Sequence, residues 1–430
     1  MNIAMFTNTY SPHVGGVARS VETLSTDLRR MGHKVVIIAP EFEDVNHDDQ
    51  AEQWIYRVPA IQNFNGSDFS VRLPVPLQLT EFLKTFAPSI IHSHHPFLLG
   101  DTALRVARHF DLPLIFTHHT LYERYTHYVP LDSEVMQQFA IHLSSEYARL
   151  CDAIVAPSES IAELIKQRDV KTGISVIPTG VDLAVFAQGN GTAFRQQHNI
   201  PEGALVIGHL GRLAEEKNLT YLAQAAVRVL QAHPDSRFLL VGDGAVADEL
   251  KLLFQKNGVS EQVIMPGNLS GQDLVDAYLA MQLFIFASHT ETQGMVLAEA
   301  MAAGVPVIAL NASGVREVVI DHENGRLLPA DSSVKDFAGV ISEALTKPGK
   351  LAQWQKQTRK TASRFSREHC ATAMVQLYRE QVDKFDCQTG QFQDSQLEGL
   401  DILVNKIKAE WELIAEKTRA AVKTVKQLNN

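Results

Sequence analysis

The sequence has few cysteines, no long apolar run and no surplus of positive charge, and each absence excludes a class of protein. Its three cysteines, Cys151, Cys370 and Cys387, are too few and too scattered for a disulfide framework or a zinc site. No stretch reaches the roughly 18 consecutive apolar residues that a membrane-spanning helix needs. The 49 acidic residues outnumber the 39 Lys and Arg, and the formal net charge of −10 argues against nucleic acid as a partner.

No targeting signal is expected at the amino terminus. Met1 leads directly into a strand pattern, with no basic segment followed by a longer apolar stretch. Together with the low cysteine content, this predicts a protein of the reducing cytoplasm. Any membrane contact would then be peripheral, at the inner face of the membrane.

The chain length and the order of its patterns predict two α/β domains. A chain of 430 residues exceeds the roughly 250 to 300 that one hydrophobic core serves. Short β-branched runs alternate with helical patterns, and the series restarts after Pro201. Strands are predicted at residues 2–7, 34–39, 89–92, 114–117, 153–156 and 175–177, then at 205–210, 237–241, 263–265, 283–286, 307–310 and 325–328. The predicted fold is two Rossmann-like, doubly wound parallel-sheet domains that face a central cleft.

The predicted domains span residues 1–190 and 198–364, and a helix at 365–384 crosses back to the first domain. A helical tail occupies residues 391–430, where apolar residues repeat in steps of four and three between 397 and 428. This repeat forms an apolar seam along the helix. Three interpretations of the seam stay open: packing on its own domain, self-association and binding to lipid. The face beside the seam is basic, with Lys406, Lys408, Lys417, Arg419, Lys423 and Lys426.

The strongest motif runs from Glu291 through Gly294 to Glu299. It begins just after the strand predicted at 283–286 and becomes a helix near Met295. A strand, a glycine turn and a helix start form an anion site, because free N–H groups and the helix dipole point to the same spot. The two glutamates, eight positions apart, could accept hydrogen bonds from sugar hydroxyls. A capping pair on a solvated face is the alternative for two glutamates without this context.

A second motif follows the strand predicted at 205–210. Gly211 and Arg212 lead to Lys217, and the two cations could neutralise a departing diphosphate from a strand end. A third strand-end loop, Gly242-Asp243-Gly244, is a weaker candidate for donor binding, since Gly-Asp-Gly often marks only a turn.

The first domain offers two further candidate segments. Gly15 and Gly16 precede a helix and would let the backbone approach a ligand closely, although a tight turn explains them equally well. His119 follows the strand at 114–117 and could bond a sugar hydroxyl. Three tyrosines spaced by three could form an aromatic ledge for an acceptor: Tyr122, Tyr125 and Tyr128.

Neither a metal nor a cofactor is expected. A metal site is one interpretation of the cluster His92, His94 and His95, but no acidic residue lies at ligand spacing from it. No Asp-x-Asp pair follows a predicted strand either. The glycines do not complete a Gly-x-Gly-x-x-Gly fingerprint, so a hydride-transfer cofactor is not supported.

Together these motifs resemble the retaining glycosyltransferases of family 4, which have the GT-B fold. The resemblance covers residues 1 to about 384, and its anchor is the Glu-x7-Glu motif at Glu291 and Glu299. The other residues that carry it are the Gly-Gly-Val at Gly15, the His-Thr at His119, and Gly211-Arg212 with Lys217. The first domain would bind the acceptor and the second the nucleotide sugar.

The resemblance implies roles around the donor. Glu291 would hold hydroxyls of the donor sugar, and Glu299 those of the ribose. The backbone at Gly294, Met295 and Val296 would meet sugar and phosphate.

It implies further roles for charged groups and for the first domain. Arg212 and Lys217 would bind the diphosphate, which the Gly16 loop would approach from the other domain. His119 would contact the transferred sugar. The configuration at the anomeric carbon would be retained without a protein nucleophile or a metal.

Two details narrow the resemblance to diacylglycerol glucosyltransferases that use UDP-glucose. They are the Glu-Thr-Gln-Gly form of the motif at residues 291–294 and the run of residues 119–128. The expected partners are therefore a nucleotide-sugar donor and a lipid or small hydroxylated acceptor. Two alternatives stay open: a mannosyltransferase that uses GDP-mannose on a phospholipid or small polyol, and a protein that binds a nucleotide sugar without turnover.

Overall fold

A computed structural model of the chain describes residues 1–12, 15–41, 53–61, 71–72, 77–124, 134–289, 291–389, 416, 417 and 419. It divides into two compact units. The first unit comprises Met1–Gly180 and Cys370–Asn430, and the second comprises Val181–His369. Residues 181–190, which sequence analysis assigns to the first domain, thus group with the second unit, where Phe186 packs against Tyr278.

The strands are β1 (Asn2–Phe6), β2 (Lys34–Pro40), β3 (Ile55–Val58), β4 (Ala60–Ile61), β5 (Val71–Arg72), β6 (Ile90–Ser93), β7 (Leu114–Thr117), β8 (Ala153–Ala156), β9 (Ile174–Val176), β10 (Val206–Leu210), β11 (Arg237–Val241), β12 (Val263–Gly267), β13 (Leu283–Phe286), β14 (Val307–Leu310) and β15 (Gly325–Leu328).

The helices are α1 (Gly16–Arg30), α2 (Leu77–Phe86), α3 (Leu99–Phe110), α4 (Glu134–Leu150), α5 (Glu159–Gln167), α6 (Leu183–Ala187), α7 (Gly191–Gln197), α8 (Leu219–Ala232), α9 (Ala247–Lys256), α10 (Gly271–Leu279), α11 (Met295–Ala302), α12 (Val334–Thr346), α13 (Pro348–Ser363) and α14 (Arg367–Thr389). Every helix within these described ranges is too short or too polar to cross a bilayer.

The first unit is built on a parallel sheet with the order β3-β2-β1-β6-β7-β8-β9. Alternate side chains of each strand enter different cores, as the two-residue repeat of a strand requires. Ile3 and Met5 of β1 pack on one face, whereas Ala4 and Phe6 pack on the other. Both faces are apolar, which is why these strands read as continuous hydrophobic runs.

The second unit is built on a parallel sheet with the order β12-β11-β10-β13-β14-β15. Its two faces are covered in the same way, with Phe284 in one core and Ile285 in the other. The expected fold of two doubly wound parallel sheets is therefore confirmed. Strand β3 was not predicted from the sequence. It lies at the edge of the sheet, and its first three residues are only partly buried.

Helix α14 supplies part of the core of the first unit. Cys370, Met374 and Tyr378 are buried against strands β1, β2 and β6. The hydroxyl of Tyr378 lies 2.6 Å from Nδ1 of His92 in β6. Helix α14 is thus an integral part of a unit whose sheet comes from the first 180 residues of the chain.

Two of the three described residues of the tail form ion pairs with helices of the same unit. Lys417 Nζ pairs with Asp101 Oδ2 of α3 at 2.7 Å, and Arg419 Nε pairs with Glu146 Oε2 of α4 at 3.1 Å. These two pairs, one with α3 and one with α4, neutralise two of the basic charges of the tail. The rest of the helix predicted at 391–430, including its whole apolar seam, lies outside the described residues.

Candidate active site

Two sequence-predicted loops leave the second sheet where its winding reverses. The sheet grows one way from β10 to β12 and the other way from β13 to β15. Ligands of doubly wound sheets bind at this point, beyond the carboxyl ends of the strands. The loop after β10 carries Arg212 and Lys217, and the loop after β13 carries Glu291. The topology therefore brings the two strongest motifs to the same edge.

The turn that carries Glu291 depends on a left-handed glycine. Gly294 has a φ of +75° and lies directly before α11. A β-carbon there would lie 2.9 Å from Cδ1 of Leu297, so both the backbone conformation and the space require glycine. No side chain caps the helix at Gly294, and the first N–H groups of α11, at Met295 and Val296, have no carbonyl within the helix. This positively polarised helix start can receive an anion.

The Glu291 carboxylate is shared between this turn and Lys217. Oε1 accepts hydrogen bonds from the N–H groups of Gly294 at 3.1 Å and Thr292 at 3.2 Å. Oε2 accepts one from Nζ of Lys217 at 3.2 Å, and both side chains of this ion pair are less than one-fifth exposed. The carboxylate is thereby oriented from two sides.

These contacts determine the charge of Glu291. Burial alone would raise the pKa of the Glu291 carboxyl. The Lys217 ammonium and the Gly294 N–H lower this pKa by more than burial raises it, so it lies below its ordinary 4.5. The pair therefore stabilises the fold at pH values above that ordinary pKa, and the stabilisation is lost as the pH falls through the lowered value. At neutral pH the group is an ionised hydrogen-bond acceptor.

The loop after β10 holds its two cations differently. Lys217 ends a single 3-10 turn, and Asn218 follows in a left-handed conformation with a φ of +55°. The Asn218 amide donates to the carbonyl of Ala287 at 3.2 Å, which ties the loop to the end of β13. Arg212 is half exposed and pairs with Glu216. Lys217 is thus held beside Glu291, whereas the half-exposed Arg212 is held by Glu216 of its own loop.

The backbone of the Gly242-Asp243-Gly244 loop packs against the backbone of the loop after β10. A β-carbon on Gly242 would lie 1.9 Å from the Gly211 carbonyl oxygen, and one on Gly244 would lie 2.4 Å from that of Leu213. The N–H of Leu213 donates to the Asp243 carbonyl at 2.9 Å. These glycines allow two backbones to touch, which gives them a packing role beside the predicted donor-binding role.

Glu299 lies inside α11 and is 3% exposed. Its Oε2 accepts a hydrogen bond of 2.8 Å from the hydroxyl of Tyr278, which is itself fully buried in α10. This bond fixes the orientation of the carboxylate. Glu299 is thus a constrained acceptor rather than a capping residue on a solvated face.

Two residues that shape this site, Tyr278 and Gly314, were not predicted from the sequence. Tyr278 carries no motif signal, because a tyrosine in a helical pattern reads as core. Gly314, with a φ of +72°, packs against the Glu291 turn: a β-carbon on it would lie 2.7 Å from the Gln293 nitrogen. The Asn-Ala-Ser-Gly sequence that ends at Gly314 is a turn signal that could have marked it.

Substituting alanine for Gly314 should destabilise the protein and displace the Glu291 turn. The added methyl would press on backbone atoms in a left-handed residue, so we expect a loss of about 1–3 kcal/mol in the free energy of unfolding. Gly339→Ala in α12 is the matched control, since Gly339 has open space around it and should gain about 0.5–1 kcal/mol. Thermal and urea unfolding would measure both. Equal stability of the two variants would contradict the packing described here.

In the first unit, His119 follows β7 and contacts a second histidine. Its Nε2 lies 2.9 Å from Nδ1 of His94, which follows β6. Burial lowers the pKa of His119 to about 4, so the ring is neutral at physiological pH. His118 is buried as well, and burial followed by the charge of Arg168 lowers its pKa to about 3.

The other first-unit candidates are Tyr122, Tyr125, Tyr128, Gly15 and Gly16. The ring of Tyr122 packs against Phe97 and His118, and burial raises the pKa of its hydroxyl. Tyr125 and Tyr128 lie outside the described residues. Gly15 adopts an extended conformation before α1, and no atom lies within 4 Å of a β-carbon built on Gly16.

Within the described ranges, no group of three or more His, Cys, Asp or Glu side chains is arranged to hold a metal ion. The histidines at 92, 94 and 119 are instead joined to each other or to hydroxyl groups.

Two family models match the chain, one for each half. The model described as Glycosyltransferase Family 4 matches residues 14–185, and the one described as Glycosyl transferases group 1 matches residues 191–361.

Two curated relatives are similar over most of the chain. Alpha-monoglucosyldiacylglycerol synthase of Streptococcus pneumoniae is 33% identical over 351 residues, covering 80% of this chain and 78% of that protein. A GDP-mannose-dependent alpha-mannosyltransferase of Mycolicibacterium smegmatis is 31% identical over 339 residues, covering 77% of this chain and 85% of that protein.

Among solved structures, HepE of Anabaena in complex with UDP has a TM-score of 0.69 to this chain at 20% identity. The match covers 88% of this chain and 100% of that one. At this identity the likeness concerns the fold alone.

Proposed function

The chain belongs to glycosyltransferase family 4, and we propose that it transfers glucose from UDP-glucose to diacylglycerol with retention of configuration. The observation that carries the proposal is the Glu291–Lys217 ion pair, which joins the loops after β10 and β13 beside the start of α11. One carboxylate and one ammonium then lie beside a helix start suited to a diphosphate. The name of the Streptococcus pneumoniae relative supports the choice of sugar and acceptor.

In this proposal the second unit binds the donor. The α11 start, Arg212 and Lys217 receive the diphosphate, and Glu291 accepts hydrogen bonds from the sugar hydroxyls. Glu299, oriented by Tyr278, accepts them from the ribose. The positive groups neutralise the charge that develops on the leaving diphosphate, in place of a divalent cation.

The proposed reaction needs no protein nucleophile. The bond from the anomeric carbon to the diphosphate breaks as the acceptor hydroxyl attacks on the same face. The proton of that hydroxyl passes to a diphosphate oxygen, and UDP leaves. His119 contacts the transferred sugar. Since diacylglycerol resides in a membrane, the enzyme would meet it by peripheral contact from the cytoplasmic side.

A GDP-mannose-dependent transfer is the second candidate. It is favoured by the relative in Mycolicibacterium smegmatis, whose similarity to this chain is nearly as high. The two candidates differ in the base of the nucleotide and in the configuration at carbon 2 of the hexose.

A donor screen separates them. UDP-glucose, UDP-galactose, UDP-glucuronate and GDP-mannose are added in turn, and thermal unfolding reports binding, since a ligand at 100 times its Kd stabilises a protein by about 2.7 kcal/mol. Release of the nucleoside diphosphate is then measured with diacylglycerol vesicles. We expect UDP-glucose to stabilise the protein and to release UDP only with acceptor present. GDP-mannose as the sole active donor would favour the second candidate, and binding without release would contradict both.

A further inference from the structure

The histidines at the carboxyl edge of the first sheet form two separate hydrogen-bonded groups. His92 is satisfied at both ring nitrogens, by Tyr378 Oη at 2.6 Å and by Thr117 Oγ1 at 2.7 Å. His94 instead points its Nδ1 at Nε2 of His119. His94 follows β6, which borders β1 where this sheet reverses its winding. The pair therefore lies at the ligand-binding edge of the first unit.

The other nitrogen of His94, Nε2, has no partner within the part of the chain that the structure describes. The side chain is 1% exposed, and its Nε2 has no hydrogen-bond partner among the described residues. The ring lies parallel to that of His119, with centroids 5.2 Å apart and an interplanar angle of 26°. Among the described residues, the ring nitrogens of His94 thus make one directed contact, and that contact is His119.

Both rings are neutral at physiological pH. Burial, and then the neighbouring His92 and His119, hold the pKa of His94 well below its ordinary value. A neutral pair has one proton for the shared contact, which allows two arrangements. Either His94 Nδ1–H donates to His119 Nε2, or His119 Nε2–H donates to His94 Nδ1.

The isolated nitrogen decides between them. In the second arrangement His94 carries its own proton on Nε2, which leaves a buried N–H without an acceptor. In the first arrangement that nitrogen has only an unused lone pair. Orphaned N–H groups are rarer in folded proteins than under-used acceptors, because the donor loses a whole hydrogen bond.

We propose that His94 is a positioning residue that donates through Nδ1–H to His119, fixing His119 as the Nδ1–H tautomer that presents a hydrogen-bond donor to the substrate. The hydrogen bond at one ring nitrogen sets the proton on the other. His119 then donates to a hydroxyl or ring oxygen of the transferred sugar. The substrate contact rests on the proposed function, whereas the tautomer is a property of the protein alone.

Two variants whose new side chains have nearly the same shape as each other test the proposal. His94→Asn can keep an amide donor at the position of Nδ1 and removes the isolated Nε2. His94→Leu keeps the same branched shape without any donor. With ¹⁵N-labelled histidine, long-range NMR spectra report the tautomer of each ring, and the His119 signal among the 17 histidines is assigned from its loss in His119→Asn. Circular dichroism confirms that each variant is folded.

We expect His119 to be the Nδ1–H tautomer in the wild-type protein and in His94→Asn, and a mixture of tautomers in His94→Leu. Turnover in His94→Leu should fall about tenfold in kcat, the equivalent of one hydrogen bond, with KM nearly unchanged. His94→Asn should recover most of that loss. A His119 that is Nε2–H in the wild-type protein, or unchanged in His94→Leu, would overturn the proposal.

The two proposals fail in different ways. If wild-type protein released no UDP from UDP-glucose or GDP from GDP-mannose, the proposed function would be lost, while the NMR signal would still decide the role of His94. If transfer occurred but both His94 variants showed the wild-type tautomer, only the present inference would be wrong.

Discussion

Replacing Glu291 with alanine should lower kcat/KM for transfer by about 100- to 10,000-fold. The ionised carboxylate can accept hydrogen bonds from two sugar hydroxyls, and each charge-assisted bond contributes about 1.5–3 kcal/mol. At about 1.4 kcal/mol per tenfold change, two bonds account for that range. Initial rates of UDP release at several donor concentrations would measure the effect.

Glu343→Ala is the control for this variant. Glu343 is also an ion-paired glutamate of the second unit, bonded to Lys347 and Lys350, but it lies on α12. We expect wild-type rates from it and similar circular dichroism spectra from both variants. A folded Glu291→Ala protein that retained wild-type rates would remove the central support of the proposed function.

Lys217→Ala should lower kcat by about 100- to 1,000-fold, with a smaller rise in KM for the donor. An ammonium beside the diphosphate interacts most strongly as the leaving group gains charge, so its loss is felt mainly in the transition state. Lys217→Arg keeps the charge and should recover part of the rate, although its planar fork binds in a different geometry. Lys251→Ala, at an exposed lysine paired with Asp248, serves as the control and should be unaffected.

The same variant tests the coupling to Glu291. Because Lys217 is the main charge that lowers the pKa of Glu291, its removal should raise that pKa. The acid limb of the pH–rate profile should then move to higher pH in Lys217→Ala, since the active form is the carboxylate. In a double-mutant cycle the two losses should not add, because both residues act on one donor. Additive losses would show that the two side chains work independently.

Most strands, and the juxtaposition of Glu291 with Lys217, were predictable because each rests on a local signal. Buried parallel strands are short and mostly apolar runs, and the bounds of β7, β8, β11, β13, β14 and β15 match the predictions residue for residue. The start of α11 at Met295 follows from its strand, glycine turn and apolar run. The motif residues Glu291 and Lys217 each stand at a strand end, and parallel topology then places them together.

What sequence analysis missed depends on contacts between distant residues. Tyr278 precedes Glu299 by a whole strand and turn, and nothing in its own helix shows that its hydroxyl meets a carboxylate. Likewise, His92, His94 and His95 read as one cluster, but the fold directs His92 toward Tyr378 and His94 toward His119. The pattern gave the location of these side chains, and only packing gave their partners.

The placement of α14 has a consequence for synthesis of the chain on the ribosome. The first sheet is complete once β9 emerges, yet part of one face stays bare until Met374 and Tyr378 are translated, after the entire second unit. The second unit is contiguous and can fold while the nascent first half still exposes apolar surface. Biogenesis should therefore run in the reverse of sequence order, with chaperones shielding the amino-terminal half until the end of translation.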